Sequence, residues 1–305
     1  MPRIAVVGSY GVGMTMKVPW VPETGETVIG GRFSTGPGGK GSNQAIAARR
    51  LDADVQLLTC IGPDGFGEEA LKLWQAEGVG TSLVKTGSRP TMVGFILVEP
   101  SGENRITIAA GALDELVPDD VKNFGEAMSE ADACLVSLEI PLGTACAALE
   151  LAHNLGTRTL LNPAPAARLP DEVWDMVDVL TPNLAEARAL SGLKSGSPEA
   201  LGRALRARCR GVLVITLGDG GAYLDDGAGM AEIVPAVEVE GVVDTTGAGD
   251  AFNAALAVAL TEGQSVREAV RFANRAAALC VTRPEVVPAL PYRHEVEKVK
   301  ERVVR

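Results

Sequence analysis

Short apolar runs alternate with amphipathic stretches of helical length along most of this 305-residue chain. The runs have the form of buried strands, and they lie at residues 4–7, 55–60, 134–136, 159–161, 179–181 and 212–216. The helical stretches lie at residues 42–50, 68–77, 144–154, 185–190 and 199–207. Strands that are apolar throughout and separated by helices typically form a mainly parallel sheet. We therefore expect an α/β fold whose sheet carries helices on both faces.

Two segments, residues 26–33 and 92–108, contain strand-like runs without intervening helices. The second predicts a hairpin that turns at Pro100, Ser101 and Gly102. We interpret these segments as a small β lid inserted into the α/β domain. The predicted organisation is a single domain over residues 1–305, with lid segments at about 10–36 and 91–110. Further helices are predicted at residues 251–261 and 266–281 and from Arg293 onward.

Composition excludes several classes of protein. A net charge of −11 opposes binding to nucleic acid or to an anionic membrane, and no apolar run approaches the ~20 residues of a membrane-spanning helix. The first strand-like run meets a glycine almost at once, unlike a signal peptide. Five cysteines without a C-x-x-C pair predict reduced core thiols and a cytoplasmic location. The two histidines, His153 and His294, lie far apart in sequence and are expected on the surface rather than in a zinc site.

The segment 244–250 reads DTTGAGD and leads directly into a predicted helix. Its glycines allow successive N–H groups and the positive end of the helix to face one anion, such as a phosphoryl group. Asp250, in the first helical turn, could then accept the proton of an attacking hydroxyl. Aspartate at this position is also a common helix cap. The seven residues alone leave both roles open.

A second glycine-rich segment, residues 36–43, is predicted to form a turn that enters a helix. It is not a P-loop, because Gly41 follows Lys40 where that motif has Ser or Thr. The glycines after the first strand also lack the spacing of a dinucleotide fingerprint. We interpret the segment as a polar ligand clamp, with Lys40 and Asn43 as donors. The alternative is a flexible loop before a capped helix.

The sequences GGKGSNQA, NPAPA, TPNLAEA, ITLG and DTTGAGDAFN occur in an order and approximate spacing that resemble the ribokinase-like (PfkB) carbohydrate kinases. The resemblance covers nearly the whole chain. It implies a ribokinase-like three-layer α/β/α fold with a small β-sheet lid. It also implies transfer of the γ-phosphoryl group of ATP to a primary hydroxyl of a pentose or related sugar. A nucleoside kinase of the same fold and a catalytically silent, sugar-binding regulator are the alternatives.

The resemblance assigns roles to individual residues. Asp250 matches the catalytic base, and the anion hole matches the backbone of Gly247, Ala248 and Gly249. The sugar contacts match Gly39, Lys40, Asn43 and Glu139. The nucleotide positions match Asn183, Thr216, Gly218 and Asn274. Asn183 and Glu186 match positions that organise Mg²⁺ through water, and the lid of this family also joins two subunits into a homodimer.

The chain departs from the family pattern in two places. The family has Asn and Asp two residues apart after the first strand, where this chain has Gly11 and Gly13. In ribokinase that Asp binds two sugar hydroxyls, so we expect ribose to be held differently here. The alternative is that another carboxylate, Glu23 or Glu26, takes its place and restores ribose binding. Ribokinase has a loop of small residues at a monovalent-cation site, and residues 283–289 read RPEVVPA here, while Asp244 matches the family residue. We therefore expect K⁺ to activate this protein less than a typical ribokinase.

Overall fold

The computed structural model describes residues 1–101 and 103–299. Within this part of the chain the strands are β1 (Arg3–Val7), β2 (Gly11–Lys17), β3 (Arg32–Gly38), β4 (Asp54–Leu58), β5 (Cys60–Ile61), β6 (Lys85–Thr86), β7 (Val93–Val98), β8 (Asn104–Ala109), β9 (Ala133–Ser137), β10 (Arg158–Asn162), β11 (Val179–Leu180), β12 (Val212–Thr216), β13 (Ala222–Asp225) and β14 (Ala231–Val234). The α-helices are α1 (Lys40–Arg50), α2 (Gly65–Glu77), α3 (Pro118–Asn123), α4 (Gly125–Ser129), α5 (Leu142–Leu155), α6 (Leu184–Ser191), α7 (Pro198–Arg206), α8 (Ala248–Thr261), α9 (Val266–Cys280) and α10 (Arg293–Val296).

Eight strands form the central sheet in the order β14-β13-β12-β11-β10-β9-β1-β4. Neighbouring strands from β12 to β4 in this order pair in parallel, whereas the pairs β12–β13 and β13–β14 are antiparallel. In β1, Ile4 and Val6 pack with α1, α2, α8 and α9 on one face. Ala5 and Val7 pack with α3 to α7 on the other face. A strand buried on both faces needs apolar residues throughout, which explains the continuous runs in the sequence and confirms the predicted α/β architecture.

A separate four-stranded sheet has the order β3-β2-β7-β8. Its strands come from the two segments predicted as the lid, and β7 and β8 form the predicted antiparallel hairpin. Gly102, predicted at the turn of this hairpin, lies outside the described residues. No helix in residues 1–101 and 103–299 is long and apolar enough to cross a membrane.

The strand predicted at residues 26–33 forms only at its end, Arg32 and Phe33, because a turn at residues 23–26 and irregular backbone precede it. The Glu26 carboxylate accepts hydrogen bonds from Trp20 Nε1 and from the Glu23 backbone N–H. Gly25 and Gly30 have positive φ angles of 84° and 102°, which interrupt extended backbone. The strand forms later, as β3, where it pairs with β2.

The glycine-rich segment 36–43 enters a helix, as predicted, but it does not form the predicted turn. Residues up to Gly38 belong to β3, and α1 begins at Lys40, so only Gly39 lies between the two elements. β3 is an edge strand, which explains how Pro37, without an N–H, is accommodated. The apolar run at residues 55–60 likewise divides at Thr59. Its second part, β5, leaves the central sheet and pairs with β6.

Candidate active site

The start of α1 lies directly on the end of β1 because two glycines meet there. A Cβ atom on Gly41 would lie 2.5 Å from the carbonyl carbon of Gly8, closer than packed atoms approach. Gly39, with a φ of 91°, would bring a Cβ atom within 2.6 Å of the Tyr10 Cα. The glycines of this segment therefore allow close packing of backbone on backbone. This packing positions the side chains of the first turns of α1 at the carboxyl edge of the sheet.

Asp250 occupies the first turn of α8 and is only 7% exposed. Its carboxylate accepts a hydrogen bond from Asn43 Nδ2 at Oδ2 (2.8 Å) and one from Gln44 Nε2 at Oδ1 (3.0 Å). The helix cap is Gly247, without a side-chain cap bond. Asp250 therefore does not act as a helix cap. Both of its carboxylate oxygens are directed by α1.

Lys40 lies in the same electrostatic cluster. Burial raises the pKa of Asp250, and the charge of Lys40 and the bonds from Asn43 and Gln44 oppose that rise. Burial alone would lower the pKa of Lys40, but Asp250, Glu139 and Glu186 give a net increase. Lys40 is therefore a cation held among three carboxyl groups. A partly desolvated cluster of this kind is typical of functional sites.

Glu139 follows β9 and contacts the N-terminus of α1. Its Oε2 accepts hydrogen bonds from Ser9 Oγ (2.5 Å) and from the Lys40 backbone N–H (2.9 Å). A carboxylate at this position also stabilises the positive end of the helix. Within the described residues Oε1 accepts no hydrogen bond. Glu139 therefore has one oxygen in the framework and one that a ligand can use.

The backbone at the start of α8 has the form of an anion site. Gly247 has a φ of 83°, and a Cβ atom there would lie 2.8 Å from Val286 Cγ1, so the turn requires glycine. A Cβ atom on Gly249 would meet nothing within 4 Å, which indicates open space. The first N–H groups of a helix have no acceptor within it. Gly247 and Gly249 present backbone donors next to Asp250, whereas the Ala248 N–H makes a long bond of 3.3 Å to Thr245 O.

The residues matched to nucleotide positions lie at neighbouring strand ends. Asn183, after β11, forms an isolated bridge with Thr216 at the end of β12, and Gly218 follows with a φ of 64°. Asn183 and Glu186 form a reciprocal capping box at the start of α6. Burial raises the pKa of Glu186, while the Asn183 bond and the charge of Lys40 lower it. Electrostatically, Glu186 therefore belongs to the Asp250 cluster.

Asn274 is 6% exposed, and its Nδ2 donates to the carbonyls of Val234 and Pro235. It anchors the chain where β14 ends, so the structure gives it a framework contact. Asp244 forms a local turn, in which Oδ1 accepts from both the backbone and the hydroxyl of Thr246. The backbone N–H of Asp244 donates to Val281 O, next to the 283–289 loop.

Several polar residues of this site were missed by the sequence interpretation, namely Ser9, Gln44, Asn162, Thr181 and Asn253. All five are at most 6% exposed. Ser9, Asn162 and Thr181 each occur at or just beyond the carboxyl end of an apolar strand run. A polar residue at that position was the available signal, since ligands of open α/β sheets bind beyond these ends. His153 and His294 are exposed, as predicted.

Comparison with known proteins identifies the family. A family model described as pfkB family carbohydrate kinase matches residues 1–293. A ribokinase from Bacillus subtilis is 38% identical over 300 residues, which cover 98% of this chain and 99% of the relative. The chain belongs to the pfkB family of carbohydrate kinases.

Solved structures agree with this assignment. A ribokinase from Thermotoga maritima has a TM-score of 0.88 and 35% identity, over 97% of this chain and 98% of its own. A ribokinase from Arabidopsis thaliana has a TM-score of 0.90 and 29% identity, over 98% of each chain. The predictions of a ribokinase-like fold and of an ATP-dependent, ribokinase-like sugar kinase are confirmed.

The departures from the pfkB pattern at Gly11 and Gly13 have different structural settings. A Cβ atom on Gly11 would collide with the side chain of Met92 and lie 2.9 Å from its backbone oxygen. At Gly13 the nearest atoms, Gly36 O and Ile96 Cδ1, would both lie 3.7 Å away, an ordinary contact distance. Met92 therefore fills the space at the first position. The second position is open to a side chain.

Proposed function

We propose that this enzyme transfers the γ-phosphoryl group of ATP to a primary hydroxyl of a pentose or closely related sugar. The similar curated proteins are named ribokinase, and the Arabidopsis structure is described as a complex with ribose and ATP. The observation that carries the proposal is the buried Asp250 carboxylate. It lies beside the backbone donors of α8, and both of its oxygens are held by α1.

In the proposed reaction Asp250 accepts the proton of the sugar hydroxyl as that oxygen attacks the γ-phosphorus. The bond from this phosphorus to the bridging oxygen breaks, and ADP leaves. Negative charge on the transferred group is stabilised by the backbone N–H groups of Gly247, Ala248 and Gly249, at the positive end of α8. Fixed donors of this kind need no reorganisation during the reaction.

The sugar is proposed to bind between Gly39, Lys40, Asn43 and Glu139. Lys40 and Asn43 donate to sugar hydroxyls, and Glu139 accepts through Oε1. Asn43 also donates to Asp250, which links sugar binding to the base. Lys40 is half-buried. The neighbouring carboxylates raise its pKa by more than burial lowers it, so Lys40 stays protonated at neutral pH.

ATP is proposed to lie along the ends of β11 and β12, near Asn183, Thr216 and Gly218, with Asn274 fixing the adjacent chain. The carboxylate of Glu186 and the amide of Asn183 are oxygen donors suited to Mg²⁺, which often keeps several waters and needs few protein ligands. No group of three or more His, Cys, Asp or Glu side chains that could hold a metal occurs in the described residues. This sparse donor set fits a magnesium ion bound mainly by phosphates and water. Mg²⁺ would neutralise charge on the phosphate oxygens.

A monovalent cation is proposed to have a smaller role. Asp244 and the 283–289 loop adjoin, since the backbone N–H groups of Val243 and Asp244 both donate to Val281 O. The loop carries Glu285, an exposed residue with a φ of 64°. Its carboxylate can supply negative charge where ribokinase has small residues. We therefore propose weak activation by K⁺.

The four-stranded sheet is proposed to be a lid and a dimer surface within a single domain. The pairing register places Met14, Met16, Phe33, Phe95 and Leu97 on one face. Phe33 and Phe95 are 60% and 51% exposed, and a contiguous apolar face of this kind is typical of an interaction site. We propose that the lid of a second copy covers it.

The opposite face of the lid favours the proposal that the substrate is a sugar larger than ribose or differently substituted. Gly36, Gly13 and Gly94 lie directly opposite one another on β3, β2 and β7. A Cβ atom on any of the three would meet no atom closer than 3.7 Å. Because Gly13 matches the sugar-binding Asp of the family, this bare row is proposed to face the sugar. It leaves space for a substituent, which also keeps a nucleoside as the second candidate substrate.

A panel of sugars and nucleosides tests the proposal. ADP release should depend on a sugar, and mass spectrometry of the product should show one added phosphoryl group. ADP release that no sugar or nucleoside stimulates would contradict the proposed function. A nucleoside as the best substrate would favour the second candidate.

We also propose a cytoplasmic location. All five cysteines are unpaired and at least half-buried, as expected where thiols stay reduced. Cell fractionation with antibodies to the protein tests the location. Recovery with secreted or periplasmic markers would contradict it.

A further inference from the structure

A chain of buried amide and hydroxyl groups lies behind Asp250. Gln44, which is fully buried, donates from Nε2 both to Asp250 Oδ1 (3.0 Å) and to Asn162 Oδ1 (3.1 Å). Asn162 in turn donates from Nδ2 to the backbone oxygen of Thr181 (3.2 Å). The base is therefore connected through α1 to the ends of β10 and β11.

The chain continues to the other side of Asp250. Thr181 Oγ1 donates to Asn253 Oδ1 (2.5 Å), and Asn253 Nδ2 donates to the backbone oxygen of Gly249 (2.8 Å). Gly249 immediately precedes Asp250 in the first turn of α8. The hydrogen bonds thus return to the same turn that carries the base and the proposed anion hole.

The orientation of the Gln44 amide is fixed by its partners. If the amide were turned over, Oε1 would face the carboxylate of Asp250 and the carbonyl oxygen of Asn162, and both are acceptors. In the observed orientation Oε1 is buried and has no hydrogen-bond partner within the described residues. A buried unpaired carbonyl destabilises the fold. An apolar residue at this position would fill the space without that loss of stability, so packing alone does not explain a glutamine here.

We propose that Gln44 is a positioning residue for phosphoryl transfer, which holds the Asp250 carboxylate in the orientation that accepts the sugar proton. The proposal rests on the proposed function, because it assumes that Asp250 is the base. Asn43 also bonds Asp250, but Asn43 is itself a proposed sugar ligand, so its bond can change when sugar binds. Gln44 is fixed by its hydrogen bond to Asn162, so its bond to Asp250 does not depend on the sugar.

The charged and titratable groups around Asp250 come from three other elements. Lys40 of α1 favours its ionised form, and Glu139 after β9 opposes it. Cys280 of α9 stays a neutral thiol, since burial and then the charges of Asp250 and Asp244 raise its pKa to about 12. Hydrogen bonds to an ionised carboxylate lower its pKa. Loss of the Gln44 donor should therefore raise the pKa of Asp250 and move the acid limb of the pH profile to higher pH.

The test compares Gln44→Met with wild type by kcat, KM and the pH dependence of kcat/KM. We expect kcat to fall about tenfold or more, KM for sugar and ATP to change less than about threefold, and the acid limb to rise by about one pH unit. Gln44→Glu, of equal size, places a second carboxylate against Asp250 and should raise the acid limb further. This variant keeps the test valid if Gln44→Met does not fold.

Thr144→Val is the matched control. Thr144 is fully buried in α5, on the face of the sheet opposite to α1 and α8, and its hydroxyl donates to Leu116 O (2.6 Å). This variant should lose stability without a shift in the pH profile. Folded Gln44 variants with wild-type kcat and an unmoved acid limb would overturn the proposed role. Wild-type protein without sugar-dependent ADP release would instead overturn the proposed function, and this role with it.

Discussion

The replacement Gly13→Asp tests why this chain lacks the carboxylate with which ribokinase binds two sugar hydroxyls. The backbone at Gly13 is extended, and a Cβ atom there would meet only Gly36 O and Ile96 Cδ1, each at 3.7 Å. The new side chain therefore enters open space without moving the lid. The folded state should tolerate it with little loss of stability.

The expected gain follows from the strength of the bonds that the carboxylate restores. A hydrogen bond to a charged group contributes about 1.5 to 3 kcal/mol. A single bond at the low end changes an equilibrium or a specificity constant about tenfold. We expect kcat/KM for ribose to rise by about tenfold or more in Gly13→Asp. The preference for larger or substituted sugars should fall, because the bare row is then interrupted.

The assay measures ADP release with ribose and with the best alternative substrate of the panel, for four proteins in parallel. Gly13→Asn adds an uncharged side chain and should give a smaller gain. Gly36→Asp, on the adjacent strand, adds the same charge one position away and should not reproduce the ribose effect. A wild-type protein that already prefers ribose, or a Gly13→Asp variant with unchanged preference, would show that the missing carboxylate does not set the substrate preference.

Three further predictions concern the cation, the lid and the core. K⁺ should stimulate turnover less than about twofold over Na⁺ in steady-state assays, because Glu285 replaces a small residue; strong K⁺-specific stimulation would contradict this. Phe95→Glu should shift the mass measured by light scattering from dimer to monomer, since it places a charge in the apolar lid face; a wild-type monomer would refute the proposed dimer. Gly41→Ala should lower the free energy of unfolding by about 1 to 3 kcal/mol in urea, because its Cβ meets Gly8, whereas Gly36→Ala, with open space, should change little.

Most of the central sheet could be predicted from the sequence because strands such as β1 and β12 are buried on both faces and leave a continuous apolar signal. The lid strands were harder to place. β3 is largely exposed and contains Gly36, Pro37 and Gly38, residues that ordinarily indicate a turn. Its strand conformation depends on pairing with β2, a long-range contact with no local signature.

The candidate site shows the same division. Asp250 and Lys40 could be selected from glycine-rich segments and from the family resemblance. Gln44, which bonds Oδ1 of Asp250, could not be selected from the sequence, because a glutamine inside a helix has no local feature that predicts full burial. Its role depends on α1 lying against α8 and β10, a contact that forms only in the folded protein. The space in front of Gly13 likewise depends on which residues β3 and β7 place opposite it.

Asp250 is proposed as the base of a sugar kinase, and the turnover of Asp250→Asn measures that role. Asparagine keeps the size of the side chain but cannot accept the proton. In an assay of sugar-dependent ADP release with saturating ATP, kcat should fall by about 10² to 10⁴, with smaller changes in KM. Circular dichroism and the unfolding midpoint show whether the variant folds. A folded Asp250→Asn protein with near wild-type kcat would show that Asp250 is not the base.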